Sequence, residues 1–253
     1  MRKSSPREKY NKRKGGVAPT AVEGVDTLSS WVPKTAIGKK VLSGEINDIN
    51  YIFDNGYRIL EPEIVDKLLN LEVMLMEVGQ SKGKFGGGKG SIWKQTQKKT
   101  KEGSRIKFST FALVGNRDGY IGVGFTGAKE TVPARQKAIR IAKLNLIRIR
   151  RGCGSWSCGC KDPHSVPYKV EGKVGSSKIV IMPAPKGAGL VIEERCGKIL
   201  EFAGIKDVYS KSYGQTNTKL NFMLACYEAL KNLTRVKIRE DDILKYGLVE
   251  GKK

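Results

Sequence analysis

Three cysteines and the chain's single histidine stand within twelve positions: Cys153, Cys158, Cys160 and His164. Thiolates and an imidazole crowded into one loop are the donor set of tetrahedral zinc. The intervals between them, four residues, one and then three, are not those of paired CxxC knuckles. The loop therefore reads equally as a glycine-stabilised turn whose thiols stay free. A nucleophilic cysteine activated by His164 is a third chemistry, but it needs an acid to orient the imidazole, and no recognisable partner stands elsewhere in the chain. Cys196 and Cys226 lie on apolar helical faces and are expected to be small core residues. Five cysteines in a chain without a secretion signal do not suggest a disulfide framework.

Two glycine-rich stretches could cradle phosphate. Gly122-Val-Gly124-Phe-Thr-Gly127 fits a dinucleotide fingerprint and precedes a helical segment. The strand before it arrives by a hairpin rather than a βαβ crossover, and no acid stands near Asn145 to hold a ribose, so the fingerprint fails. Its glycines are expected to let a strand pass close to neighbouring backbone. The helix start that follows, flanked by Lys129 and Arg135, offers N–H groups and charge to a phosphate. Pro183-Ala-Pro-Lys-Gly-Ala-Gly-Leu190 resembles the phosphate loop of a family of small-molecule kinases, yet Val191 and Ile192 stand where those loops place serines. A structural turn, or a contact surface for protein or RNA, is the better expectation.

The charge balance points to a polyanionic partner. Forty-seven Lys and Arg face 25 Asp and Glu in 253 residues, a net +22 that runs through the folding segments as well as the ends. Basic side chains that neutralise phosphates release condensed counterions, which drives binding without reading a base. No run of about 18 apolar residues is present, and Met1-Arg-Lys-Ser-Ser-Pro6 leads into more charge, so neither a membrane span nor a signal peptide is expected. The reading is a cytoplasmic protein.

The elements that must position these residues follow from pattern. Residues 1–30 are expected to be a disordered basic arm, with Arg2, Lys3, Arg7, Lys9, Lys12, Arg13 and Lys14 against one acid in its first 14 positions. Residues 31–90 read as an N-terminal extension: two short helical pieces over 46–70, a strand from Glu72 to Val78, then a Gly/Lys loop over 79–90 holding Lys82, Lys84 and Lys89. Ser91–Thr100, Ser104–Val114 and Tyr120–Phe125 form an antiparallel three-stranded meander, with Ile106, Phe108, Ala112 and Val114 on one face of the middle strand. A helix follows, capped by Thr131 and running toward Leu146; Ala134, Ala138, Ile139, Ile141, Ala142 and Leu146 share one arc and Lys137, Arg140 and Lys143 lie opposite. After a Cys-rich connection over 152–165, a second α+β unit spans 166–235. It holds a hairpin (Val166–Glu171 and Lys178–Met182), a helix over Val191–Phe202, a strand over Val208–Tyr213 and a helix over Leu220–Leu233. Residues 236–253 read as a charged tail with a helical turn at Asp241–Leu244.

The motifs Gly115-Asn-Arg-Asp-Gly-Tyr-Ile-Gly-Val-Gly124, Ala138-Ile-Arg-Ile-Ala-Lys143, Pro163-His-Ser-Val-Pro167, Met182-Pro-Ala-Pro-Lys-Gly187 and Ala203-Gly-Ile-Lys-Asp207, in this order, resemble the small-subunit ribosomal protein five family. Trp31-Val-Pro-Lys-Thr35 and the Cys loop resemble its archaeal branch. The resemblance implies a double-stranded-RNA-binding-like domain over 91–151, the family's second α+β domain after it, and no enzymatic activity. It further implies binding to small-subunit ribosomal RNA, contact with ribosomal proteins four and eight, and a part in the mRNA entry channel and in decoding accuracy. On these residues the RNA-facing set would be Lys98, Lys99, Lys101, Arg105, Lys107, Arg117, Lys129, Arg135, Lys137, Arg140, Lys143, Arg148, Arg150 and Arg151. The turn carrying Lys186, Gly187, Gly189 and Leu190 would lie toward protein four. A free regulator of double-stranded RNA and a phosphotransferase are the competing classes.

Overall fold

In chain order, the computed structural model, which describes residues 31–80 and 90–251, has α1 (Ala36–Ser43), α2 (Ile49–Asp54), α3 (Pro62–Leu68), β1 (Glu72–Met76), β2 (Gly79–Gln80), β3 (Gly90–Ser91), β4 (Lys94–Thr100), β5 (Gly103–Gly115), β6 (Tyr120–Ala128), α4 (Thr131–Leu144), β7 (Leu146–Arg148) and β8 (Arg150–Arg151). The second half adds β9 (Val170–Val174), β10 (Ser177–Pro183), β11 (Leu190–Val191), α5 (Glu194–Phe202), β12 (Val208–Tyr213), α6 (Lys219–Leu233), α7 (Glu240–Tyr246) and β13 (Val249–Glu250). The N-terminal basic arm and Lys82, Lys84 and Lys89 lie outside the described residues. Among the described residues no helix is long and apolar enough to cross a membrane.

The long strand β5 organises the first sheet. Its first half pairs with β4 and its second half with β1, both antiparallel, while β6 pairs along its other edge and β7 continues from β6. Past Ser109 both faces of β5 are covered. Ala112 and Val114 meet Ala138, Ile139 and Ala142 of α4, and Phe111 and Leu113 turn to the opposite side. A single apolar face for this strand was therefore too simple: Ile106, out on the hairpin, is exposed, and Thr110 is fully buried. Two expectations for α4 also change. Glu130 takes the N-cap position, with Thr131 the first helical residue. Ile141 is exposed, while Leu146 has passed into β7.

Glycine lets α4 lie so low on the sheet. A Cβ on Gly122 would stand 2.1 Å from the Ala142 carbonyl oxygen, and one on Gly124 2.2 Å from that of Ala138. The dinucleotide-like spacing is thus a packing device: the glycines remove side chains where helix backbone meets strand backbone. On the sheet's other face Phe111, Leu113, Ile121 and Val123 join Ile199, Phe202, Phe222 and Met223 in one buried cluster, so the two α+β units share a core.

The second sheet runs β11-β12-β10-β9, with β11 parallel to β12 and the rest antiparallel. Helix α6 sits on β9, where a Cβ on Gly172 would be 2.1 Å from the Ala225 carbonyl oxygen. The β9–β10 turn is tighter than its sequence suggests, and Val191 belongs to a strand rather than to α5, which is capped by the Glu193 side chain accepting from Arg195 N and Cys196 N. Two segments read as peripheral are built into the fold. Helix α1, absent from the sequence reading, begins beside Glu61, whose carboxylate accepts from Trp31 Nε1 and from the backbone N–H groups of Lys34 and Thr35. At the other end, β13 pairs with β8, so residues 240–250 close over the link between the two units.

The close approach of α4 makes a direct prediction. Gly124→Ala should lower stability by about 1–3 kcal/mol in urea unfolding, since the methyl overpacks against fixed backbone. Gly159→Ala, whose Cβ would meet nothing within 4 Å, should change it by less than about 0.5 kcal/mol.

Candidate nucleic-acid interface and metal centre

The β4–β5 hairpin projects beyond the part of the sheet that α4 covers. Lys98 and Arg105 are register partners, Thr96 pairs with Lys107, and the turn at Lys101–Glu102 is closed by Gly103 at φ +119. Lys98, Lys99, Lys101, Arg105 and Lys107 are all exposed. The only carboxylate that engages one of them among the described residues is Glu102, 2.5 Å from Arg105 on an open surface. An exposed pair of this kind is worth little and leaves the guanidinium available to phosphate. Lys129, Lys137 and Arg140 extend the same charge along the start and outer face of α4; Arg135 is half-buried.

Other bases expected to face RNA are occupied inside the protein. Lys143 Nζ lies 2.7 Å from Asp66 of α3, with both side chains largely buried. Arg148 bridges Asp54 at 2.8 Å and Glu250 at 3.1 Å. Arg150 donates to Glu250 and to the carbonyls of Leu233 and Val236, and Arg151 to Asp118 and to the carbonyl of Gly251. Arg150 and Arg151 are buried. Burial with fixed partners makes these arginines fasteners for the C-terminal segment instead of open phosphate contacts, a distinction that charge counting could not make. Arg117 is intermediate. It is held at φ +57, with its guanidinium 5.4 Å over the Phe202 ring and 3.0 Å from Glu72, yet its side chain stays partly exposed.

The cysteine loop closes on itself. Gly152 and Ser165 form a bridge across its base, and Cys153 N donates to the Tyr246 carbonyl. One ligand atom each from Cys153, Cys158, Cys160 and His164 lies within 4.8 Å of all the others. Cys158 Sγ is 3.4 Å from Cys160 Sγ and 3.8 Å from His164 Nε2. Zinc with ordinary Zn–S and Zn–N bonds separates tetrahedral donors by roughly 3.5–3.8 Å, so the four atoms fit such an ion with small adjustment. The backbone N–H of Lys186, followed by Cys160, holds the Cys158 thiol down to about 6. Burial first, and then the neighbouring thiols, push Cys153 up to about 11.

Sequence reasoning missed Asp207. His164 Nδ1 lies 2.8 Å from Asp207 Oδ2, both residues are buried, and Nε2 is left directed at the thiols. A carboxylate behind a ligating imidazole fixes its ring orientation and raises its basicity. The one signal in sequence was that Asp207 is the sole acid between Glu201 and Glu228. Its other oxygen accepts from Gly187 N at 3.0 Å and Gly189 N at 2.8 Å. Those N–H groups are what a phosphate in the Pro183–Leu190 turn would need, so the turn is tied to a carboxylate and is no phosphate cradle. Lys186 remains exposed at its edge, 2.7 Å from Asp162.

Residues 92–150 match the family described as ribosomal protein S5, N-terminal domain, and residues 172–243 match ribosomal protein S5, C-terminal domain. The small ribosomal subunit protein uS5 of Methanocaldococcus jannaschii is 49% identical over 226 residues, 89% of this chain and 97% of that protein. That of Nanoarchaeum equitans is 46% identical over 225 residues, 88% and 96% of the two chains. The Pyrobaculum aerophilum protein of the same name is 47% identical over 212 residues, 83% and 90%.

The division of basic residues into fasteners and open contacts can be measured. Arg150→Gln removes the donor to the Leu233 and Val236 carbonyls and leaves Glu250 to Arg148 alone, and should cost about 1–3 kcal/mol in urea unfolding. Lys99→Gln should cost less than about 0.5 kcal/mol; equal losses would erase the distinction.

Proposed function

The chain belongs to the ribosomal protein S5 family, and from that premise we propose that it is a structural constituent of the small ribosomal subunit whose projecting β4–β5 hairpin and outer α4 face grip ribosomal RNA. It is a structural protein and not an enzyme, working in the cytoplasm within that subunit. The observation that carries the RNA reading is the open basic hairpin: Lys98, Lys99, Lys101, Arg105 and Lys107 stand clear of the core with almost no internal carboxylate to satisfy them. Side chains so placed reach phosphates and sugar hydroxyls, recognising folded RNA by shape more than by base edges. Ribosomal proteins four and eight are the proposed protein neighbours, with the Lys186, Gly187, Gly189 and Leu190 turn toward protein four. A place by the mRNA entry channel and an influence on decoding accuracy complete the reading; the family resemblance supports these finer points.

A second reading concerns the Cys loop: Cys153, Cys158, Cys160 and His164 hold one structural zinc ion. The convergence of four soft donors and the Asp207 carboxylate behind His164 favour it over free thiols. When bound, the ion supplies a covalent-strength crosslink between the start and end of the loop. Asp207 keeps the imidazole aimed at it, and the Lys186 N–H stabilises the Cys158 thiolate.

If Lys98, Lys99, Lys101, Arg105, Lys107, Lys129, Lys137 and Arg140 each neutralise a phosphate, log affinity for ribosomal RNA should fall against log salt with a slope of roughly −5.6 to −7.2, at 0.7 to 0.9 per contact. Replacing Lys98, Lys99, Lys101 and Arg105 with Gln should flatten that slope by about 3 in filter-binding titrations. An unchanged slope removes the hairpin from the footprint, and a chain that never sediments with small subunits ends the ribosomal reading. Protein purified without chelator should carry one zinc per chain by elemental analysis, and Asp207→Asn should weaken zinc binding about 10–100-fold. A metal-free, fully folded preparation would favour the free-thiol turn.

A further inference from the structure

Among the described residues, no element packs on one face of the second sheet. Ser177, Ile179 and Ile181 of β10 and Val208 of β12 point at the helices, so the alternate residues point away. Register sets those outward residues side by side. Tyr209 neighbours Met182, Lys211 neighbours Val180, and Tyr213 neighbours Lys178. On the far strand Glu171 pairs with Val180 and Lys173 with Lys178. The centre of the grid dips into an open hollow of about 400 Å³ floored by Val180 and Met182.

The chemistry of the grid is aromatic and cationic. Tyr209 and Tyr213 are 40% and 51% exposed, and neither hydroxyl has a hydrogen-bond partner among the described residues. Lys211, between them on the same strand, has no carboxylate partner there either. Lys169, Lys173, Lys178 and Lys211 outnumber the single acid Glu171, whose ion pairs to Lys178 and Lys169 are on the surface and worth little. The two tyrosines are four strand residues apart, about 13 Å at the usual rise, so one base cannot span them.

We propose that this face binds an unpaired stretch of RNA, with separate bases stacked on Tyr209 and Tyr213 and the intervening phosphates over Lys211 and Lys178. The proposal rests on the RNA-binding reading above and adds a second footprint of a different kind. A duplex hides its base faces, whereas single strands stack them on aromatic rings while lysines track the backbone. A protein partner fits less well, because interface centres are depleted in lysine and Lys211 stands in the middle of this one, between the two tyrosines.

The test uses the full chain, a fluorescent twelve-nucleotide single-stranded RNA and an RNA duplex of equal charge. Tyr209→Ala/Tyr213→Ala should weaken single-strand binding at least tenfold while changing duplex binding less than twofold, and Tyr209→Phe/Tyr213→Phe should retain both. The hairpin variant lacking Lys98, Lys99, Lys101 and Arg105 should show the reverse pattern, so loss of duplex binding is scored against the first footprint and not this one. Should the alanine variant melt early, Lys178→Gln/Lys211→Gln takes its place, with a fivefold or larger single-strand loss expected. Unaltered single-strand binding in these variants, equal loss in the phenylalanine variant, or photo-crosslinks from position 209 in small subunits that reach protein instead of RNA would each overturn the proposal.

Discussion

Burial of the β5–β6 face against α5 and α6 is the constraint on which the rest depends. Phe111, Leu113, Ile121 and Val123 bring one half of this core, and Ile199, Phe202, Phe222 and Met223 the other. Because the first sheet and helices α5 and α6 cover each other's apolar faces, separating the units along this surface would expose both to water. The turn after β5 adds direction to the adhesion: Arg117 N donates to the Phe202 carbonyl and Gly119 N to that of Ala203. Backbone hydrogen bonds across an apolar contact fix angle as well as proximity. The described basic faces of α4 and of the second sheet are therefore held in a set relation to one another.

That rigidity decides what the surplus of positive charge can do. A chain at +22 repels itself, and the fold answers by using some cations as internal ties. Arg148 reaches Asp54, 94 residues back, Arg150 reaches Glu250, 100 residues on, and Arg151 takes Asp118 from 33 residues back, drawing both the N-terminal helices and the C-terminal strand onto the link between the units. Guanidinium suits this work, since its planar fork serves a carboxylate and several carbonyls at once. The open hairpin and the open second sheet are instead rich in lysine, whose flexible ammonium follows a phosphate without a preset geometry.

The mixed α+β class, the meander and the amphipathic α4 could be read from alternation and helical period, because each is a local pattern. What escaped was set by distant partners. Nothing near Val191 says that it will lie beside Tyr209 in parallel, and nothing in the charged run 236–253 says that Glu250 will meet Arg150. Composition marks Arg150 and Lys99 as alike, and only packing separates them. The cysteine loop was legible as a donor set because its residues are close in sequence, but the acid that orients His164 enters from the loop just before β12, 43 residues on. Even the misleading glycine fingerprint had a physical content, namely two places where a helix needs bare backbone beneath it.

Asp207 then explains why two loops that differ in composition behave as one piece. One oxygen holds the imidazole of the Cys loop and the other holds Gly187 and Gly189, whose φ values of +90 and +71 leave their N–H groups turned inward. The Ser165 hydroxyl donates to the Asp207 carbonyl and accepts from Ala184 N, closing the set from below. Removing the His164–Asp207 contact or either Ser165 contact leaves a buried polar group unsatisfied, at a cost of about 1–3 kcal/mol. A surface anchored in this way presents Lys186 and Leu190 at fixed positions. The β4–β5 hairpin is the opposite case: before Ser109 it leaves the cover of α4 and carries no buried side chain. One fold thus holds one pair of loops by buried hydrogen bonds and leaves one basic hairpin standing open, with Glu102 the sole carboxylate on its cations among the described residues.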